Sequence, residues 1–309
     1  MSQTSREMSW AAFFALIGAA ILWGSSFIAM KIAMREFSPL LAVFCRMAVA
    51  SAVFALIWRR MGGFAAGRAD WKGIVFMAFC EPCLYFIFES QALTMTQASQ
   101  AGMITAMLPV MTAVAASFVL KEKLEVRAMT GLLLAVAGVA VMSLAGEAGP
   151  QAPRPILGNF LEFLAMCCAV GYIITCKKLA ARHKPLYLTA AQSFVGMAFF
   201  SPALVFAPMP AKLTFAPVAA VFFLGLAVTF VAYGLYNYGV CNAPAAKAAA
   251  FINLIPVITC LLSWLILDET LSAGQLLGGA TVLGGVGLSA RPAREGRKAR
   301  GQQQQQQQQ

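Results

Sequence analysis

Ten apolar stretches make up most of this chain, near residues 10 to 33, 38 to 58, 72 to 90, 98 to 120, 126 to 145, 157 to 177, 186 to 207, 217 to 239, 245 to 267 and 272 to 290. Most are close to the roughly 20 residues an α-helix needs to cross the hydrocarbon of a bilayer. The expected fold class is therefore an all-α integral membrane protein with ten transmembrane helices. Composition agrees: 60% of residues are hydrophobic and 11% charged, whereas about a quarter are charged in ordinary soluble domains. The first stretch outruns the apolar core of a secretion signal and lacks a small-residue cleavage pattern after it, so it is read as a mature helix.

The net charge of +11 does not point to nucleic acid, because the basic residues punctuate the apolar runs and do not cover one face. With the N-terminus in the cytoplasm, 17 of them fall inside, among them Arg59, Arg60, Lys121, Lys177, Lys178 and the C-terminal group from Arg291 to Arg300. Only Arg35, Arg154 and Lys212 fall outside. Positive charge marks the cytoplasmic side, so both termini are placed there.

An internal echo constrains the fold further. The segment LPVMTAVAASFVLKEKLEVRAMTGLLLAVAGVAVMSL at Leu108 to Leu144 returns 147 positions later, with Pro109 over Pro256, Thr112 over Thr259, Glu122 over Glu269, Gly131 over Gly278 and Gly138 over Gly285. Gly24 over Gly171 and Lys31 over Lys178 keep the same offset. Such a period is a duplicated half-protein, not a solenoid repeat. Five spans per half force the second half to enter the membrane with opposite polarity, so the halves are expected to be inverted repeats. The resulting division is a polar cytoplasmic lead at 1–9, a first repeat at 10–145, an external Pro- and Gly-rich linker at 146–156, a second repeat at 157–290, and a basic, glutamine-ended tail at 291–309, expected to be disordered and set aside from function.

Candidate functional residues are polar groups inside apolar spans, where a charge is costly and faces a bundle interior or a wet cavity. In the third span Glu81, Tyr85 and Glu89 recur at i, i+4 and i+8, on one helix face. Glu81, beside Pro82, either lines or gates a pathway or pairs structurally with Arg46. Glu89, nearer the external end, reads as an interface residue, a salt-bridge partner or a charge-coupling group. Arg46 in VFCRMA either neutralises a third-span carboxylate or attracts a substrate carboxylate. Trp23, Tyr85 and Tyr233 lie deep enough to line a pocket or simply to pack. Gln100 and Met103 share a face of the fourth span ahead of Pro109. Lys247, Asn253 and Pro256 supply the corresponding features of the ninth, and Gln192 completes the polar set. The substrate-binding candidates are therefore Trp23, Glu81, Tyr85, Gln100, Met103, Gln192, Tyr233 and Asn253. Arg46, Glu89, Pro109, Lys247 and Pro256 are candidates for gating or charge coupling, the prolines as bends. The seven-residue glycine spacing of the fifth and tenth spans favours close helix pairing. The charged turns KEKLE and DETLS read as caps and local ion pairs at the membrane interfaces.

Eight cysteines without paired spacing and a lone His183 in a basic loop leave no metal cluster to assemble, and no cofactor is implied. A membrane enzyme would need a converging nucleophile, base or metal set, which the sequence lacks. A channel remains the main alternative class; it would need a continuous polar pore, where a carrier predicts saturable counterflow.

ILWGSSFIAMKIA at Ile21 to Ala33, FCR at Phe44 to Arg46, QAL followed by a small-residue helix from Ala98, and the repeated LPV with KEKL and IPV with DETL resemble the drug/metabolite transporter superfamily, specifically its bacterial ten-helix members with two EamA-type domains. The resemblance covers about residues 11 to 290. It implies a multi-pass carrier of the bacterial inner membrane, with its cavity between the inverted halves and alternating access as its mechanism. Trp23 is matched by Val170, Arg46 by Ser193 and Glu81 by Val228, so the site is expected to be chemically asymmetric. Some relatives export amino acids, including aromatic ones. The expectation is export or exchange of a small amphipathic metabolite, an amino acid first and a drug or organic cation second, with membrane lipids and the solute as partners, Glu81 as a candidate proton exchanger, no nucleic acid, and no need for more than a monomer.

Overall fold

The computed structural model describes residues 9–61, 70–119, 126–180, 182–241 and 251–289. These hold ten principal helices: α1 (Trp10–Ala33), α2 (Pro39–Ile57), α3 (Trp71–Met95), α4 (Ala98–Val119), α5 (Val126–Leu144), α6 (Pro155–Leu179), α7 (Pro185–Phe206), α8 (Phe215–Tyr236, continuing helically to Cys241), α9 (Leu254–Leu267) and α10 (Ala273–Ser289). Their starts follow local chemistry. The Ser9 hydroxyl accepts from the Ala12 amide to cap α1, and prolines 39, 155 and 185 open α2, α6 and α7, where a missing N–H costs nothing.

Seven helices, α1 to α4 and α6 to α8, are long and apolar enough to cross a membrane. The ten helices match the ten stretches expected from sequence, and among the described residues seven meet that length and hydropathy. α10 has 17 residues and α9 has 14, beginning only at Leu254 after a turn at Asn253, while α5, with 19, is rich in small residues. Large apolar side chains such as Phe14, Leu56, Phe160, Phe206, Phe222 and Leu277 are exposed on the perimeter, while Ala, Gly and Met dominate the interior. That inside-out distribution is what a bilayer solvent selects, and helices leave no backbone polar group facing it. The chain is a multi-pass membrane protein.

The principal helix contacts are symmetric. α1 packs on α8 and α9, as α6 packs on α3 and α4; α2 meets α8 as α7 meets α3; and α2–α7, α4–α9 and α5–α10 are pairs that map onto themselves when each helix is exchanged for the one five places on. The glycines give the sharpest form of this. A Cβ at Gly131 would sit 2.5 Å from the Gly285 carbonyl oxygen, and one at Gly285 would sit 2.5 Å from that of Gly131. Gly138 and Gly278 repeat the relation at 2.7 Å in both directions. Shifting either pair by 147 residues yields the other, as a two-fold axis between antiparallel helices requires. The contacts are those of an inverted-repeat fold.

Both Pro-containing helices are interrupted at equivalent places. α4 breaks into Ala98–Thr105 and Leu108–Val119 around Ala106 and Met107. In the second repeat Asn253, the counterpart of Ala106, is the turn residue before α9. Pro109 and Pro256 each follow the break near the start of the new segment, where proline is tolerated.

Candidate functional site

The third helix of each repeat is irregular. In α3, Pro82 has no N–H to give, and the turn Phe79–Leu84 is a wide one in which Glu81 takes extended angles (φ −144°, ψ 117°). The one-face spacing of Glu81, Tyr85 and Glu89 therefore holds only from Tyr85 onward. There the Tyr85 hydroxyl donates to Glu89 Oε1 at 2.7 Å. The unwinding at Glu81 frees its carbonyl, which accepts from Gln192 Nε2 at 2.7 Å. Its carboxylate, Oε1, accepts from the Tyr233 hydroxyl at 2.9 Å.

α8 widens over Phe223–Val231. The Thr229 hydroxyl donates to the Leu224 carbonyl five residues back at 2.9 Å and accepts from Arg46 Nε at 3.0 Å. The Arg46 guanidinium lies 4.4 Å from the centre of the Phe86 ring, a cation–π contact in a buried setting. No carboxylate lies within 4.0 Å of it among the described residues, so the structural pairing of Glu81 with Arg46 that the sequence allowed is not made.

Arg46, Glu81, Phe86, Gln192, Thr229 and Tyr233 surround a small cavity of about 20 Å³ at the meeting of α2, α3, α7 and α8, room for about one water molecule. Trp23 of α1 extends the wall: its ring meets Tyr233 edge-on at 5.4 Å and lies tilted against Tyr236 at 4.9 Å. A larger groove, of about 300 Å³, opens around Ser99, Trp264, Glu269 and Leu276. Trp264 and Leu276 are exposed on the apolar perimeter, so that groove opens on the lipid-facing edge, and its polar groups Ser99 and Glu269 are bonded to each other.

The other sequence candidates stand apart from the cavity. Gln100 is buried in a network in which Asn159 Nδ2 donates to Gln100 Oε1 at 2.7 Å and to Ser143 Oγ at 2.9 Å, while Thr96 donates to Asn159 Oδ1 at 2.7 Å. Met103 packs on Gly279. Asn253 ends its helical turn with its side-chain oxygen Oδ1 buried and unpartnered. Lys247 lies outside the described residues.

At the end of the bundle that carries the loops 34–38, 145–154 and 268–272, Glu269 is 3% exposed. It accepts from the amides of Ala98 and Ser99 at 2.9 Å each and from the Ser99 hydroxyl at 2.8 Å, at the positive end of α4. Lys31 Nζ lies 3.3 Å from it and donates to the Gln151 carbonyl at 3.1 Å. The turn expected to hold local ion pairs thus makes a long-range one between repeats. At the opposite end Asp70 meets Arg182 at 3.1 Å and His183 at 3.0 Å, with the Arg182 side chain 70% exposed. A screened pair of that kind holds far less than the buried one.

Sequence reasoning missed Thr229, Asn159, Glu162 and the Lys31–Glu269 link. Glu162 and Asn159 carried a usable signal, ionisable and amide groups within an apolar span. Thr229 had none, since its role comes from the widened turn.

A buried, charged cavity enclosed by symmetry-related helices of a membrane protein defines a small-solute transporter. Among the described residues no group of three or more His, Cys, Asp or Glu could hold a metal ion. The EamA-like transporter family matches residues 9–144 and again 156–291, and the chain belongs to that family, within the drug/metabolite transporter superfamily. It is a transporter and not an enzyme. It is 28% identical to the uncharacterized transporter YetK of Bacillus subtilis, over 89% of this chain and 85% of that one. It is 25% identical to an uncharacterized transporter of Archaeoglobus fulgidus, over 87% and 93%, and 24% identical to a probable terminal-alkyne amino-acid exporter of Streptantibioticus cattleyicolor, over 91% and 93%. A solved crystal structure superposes with a TM-score of 0.63 at 19% identity, over 93% of this chain and all of the other, which supports the fold alone.

Proposed function

We propose that the protein is an alternating-access carrier of the bacterial inner membrane that exports or exchanges small amphipathic metabolites, amino acids foremost. The observation that carries this reading is the cavity in which an acid, Glu81, and a base, Arg46, with no carboxylate within 4.0 Å among the described residues, stand beside the rings of Trp23, Tyr233 and Phe86. The ammonium of an amino acid suits Glu81, its carboxylate suits Arg46, and an apolar or aromatic side chain suits the rings. An organic cation would gain from Glu81 but meet the guanidinium, which makes it the weaker substrate class. The exporter from Streptantibioticus cattleyicolor, named for an amino acid, points the same way.

Alternating access is supported by where the bonds run. Arg46 to Thr229, Gln192 to Glu81 and Tyr233 to Glu81 each join one repeat to the other, so the site is made and unmade as the halves move. The Lys31–Glu269 link holds one end of the bundle, which the positive-charge bias assigns to the outside, and Asp70 with Arg182 marks the cytoplasmic end. Ten spans with both termini in the cytoplasm complete the arrangement.

The test is counterflow in proteoliposomes loaded with amino acids, sugars, nucleobases or organic cations. Saturable exchange of amino acids that Glu81→Gln lowers by roughly tenfold or more, with folding retained, is expected. Equal uptake of all solutes without saturation would make the protein a channel and sink the proposal.

A further inference from the structure

Glu162 of α6 is fully buried, and both of its carboxylate oxygens lack a hydrogen-bond partner. It is an electrostatic neighbour of Glu89 on α3, whose own side chain is 5% exposed and already accepts from Tyr85. A carboxylate without a donor, beside a second carboxylate and away from water, is not sustained in ionised form. The charge inventory leads to the same place. Among the described residues the interior of the bundle holds three carboxyl groups, Glu81, Glu89 and Glu162, against one guanidinium, Arg46. Tyrosine hydroxyls donate to Glu81 and Glu89, and Glu162 is the one with no donor at all.

We infer that Glu162, with Glu89 and Tyr85 across the α3–α6 contact, forms a proton-binding site that couples solute movement to a proton. This rests on the carrier reading above, and it assigns the coupling to a place other than the solute cavity. The ionisable groups facing Glu162 are Glu89 and Tyr85 of α3, with Arg46 of α2 behind Glu89. α4, which also packs on α6, has no ionisable residue, and α5 has only Arg127 at its start. On α6 itself Cys167 and Cys168 lie further along the helix.

The two carboxyl groups belong to different repeats, so the site straddles the surface along which the halves move. In the arrangement described, the O–H bond at Glu162 is intact. When the halves part, Glu162 gains water and distance from Glu89, and the proton leaves to the compartment then open. Reloading forms the same bond from a proton of the other compartment. Asn159, one turn away, ties this part of α6 to the end of α3, to α4 and to α5 through Thr96, Gln100 and Ser143, so a change of charge at Glu162 acts on α3, which also carries Glu81 and Phe86 of the cavity.

Two measurements on the full-length protein test this. Infrared titration in nanodiscs, with protons as the only ligand, should show a carboxylic-acid carbonyl band that titrates, is absent in Glu162→Gln and persists in Glu81→Gln. A band retained in Glu162→Gln, or one that never titrates, overturns the proposal. So does displacement of the proton by sodium but not by choline, which would make the site a sodium site. In proteoliposomes, Glu162→Gln should lose accumulation driven by a pH gradient by about tenfold or more, while solute counterflow, which needs no net proton movement, continues. Unaltered gradient-driven accumulation overturns the coupling. Absence of counterflow in the wild type overturns the carrier reading instead and leaves the infrared result to decide the proton site. If Glu162→Gln does not fold, Glu89→Gln replaces it: a midpoint identical to wild type would then be the overturning result.

Discussion

The third helix of the first repeat is interrupted at Phe79–Leu84 around Pro82, and its counterpart in the second widens over Phe223–Val231, where the residue that corresponds to Pro82 is Thr229. The same local departure from α-geometry is thus reached with a proline in one repeat and without one in the other. What the two irregular turns present differs completely. At the cavity the first repeat brings Arg46 and Glu81, and the second answers with the neutral groups of Gln192, Thr229 and Tyr233. Duplication preserved the backbone and the glycine seam; at the cavity, divergence left the ionisable groups on one side and neutral donors and acceptors on the other. The cavity thus has chemically unlike walls although the helices that build it are related by symmetry.

If the backbone symmetry is real, equivalent glycines must be equally intolerant. Gly138→Val and Gly285→Val should each destabilise the fold by roughly 3 kcal/mol or more, because the added carbons meet backbone atoms that cannot give way. Thermal unfolding in detergent, read by size-exclusion, checks this. A variant tolerated in one repeat and not in the other would break the equivalence. Chemical asymmetry makes the next largest effect. Glu81→Gln removes a charge-assisted acceptor, a contribution of about 1.5–3 kcal/mol or roughly 10- to 150-fold in exchange rate, whereas Val228→Ile at the equivalent place in the second repeat should leave exchange within about twofold.

The apolar runs, the 147-residue offset and the glycine spacing carried the fold into view because burial and close helix approach are written in residue type and period. The pocket was partly legible on the same grounds. Glu81, Arg46, Gln192, Tyr233 and Trp23 are polar or aromatic groups too costly or too large to leave unplaced in an apolar span, and the structure gathers them. Gln100 obeyed the same rule yet is bound into the Asn159 network, since sequence says that a buried amide needs partners but not which ones. Thr229 was illegible because a threonine in a helix ordinarily bonds its own backbone, and only the widened turn lets it also accept from Arg46.

That last bond offers a finer test of the contrast between repeats. Thr229→Val breaks a contact that joins them and should cost about 1–3 kcal/mol in thermal stability. Thr189→Val, at the same cavity, loses only a bond to Pro185 within its own helix at 3.1 Å and should cost about 0.5 kcal/mol or less. Equal losses would mean that the junction between repeats has no special weight.

The smallest effect sits at the end of the bundle that carries Lys31 and Glu269, where Glu36 of the first repeat accepts from the Thr214 amide at 2.8 Å and its hydroxyl at 2.7 Å, just before α8. Those two bonds, the hydroxyl first, hold the Glu36 carboxyl below the usual glutamate range. A carboxyl lowered in the folded state contributes stability above its unfolded value of about 4.3, and that contribution is lost as the pH falls through the lowered folded value. The wild type should therefore unfold at a slightly higher temperature than Thr214→Val near neutral pH, with the difference shrinking on acidification and in high salt, since the pair faces solvent. A difference that grew on acidification would show that Thr214 acts through packing and not through the Glu36 carboxylate.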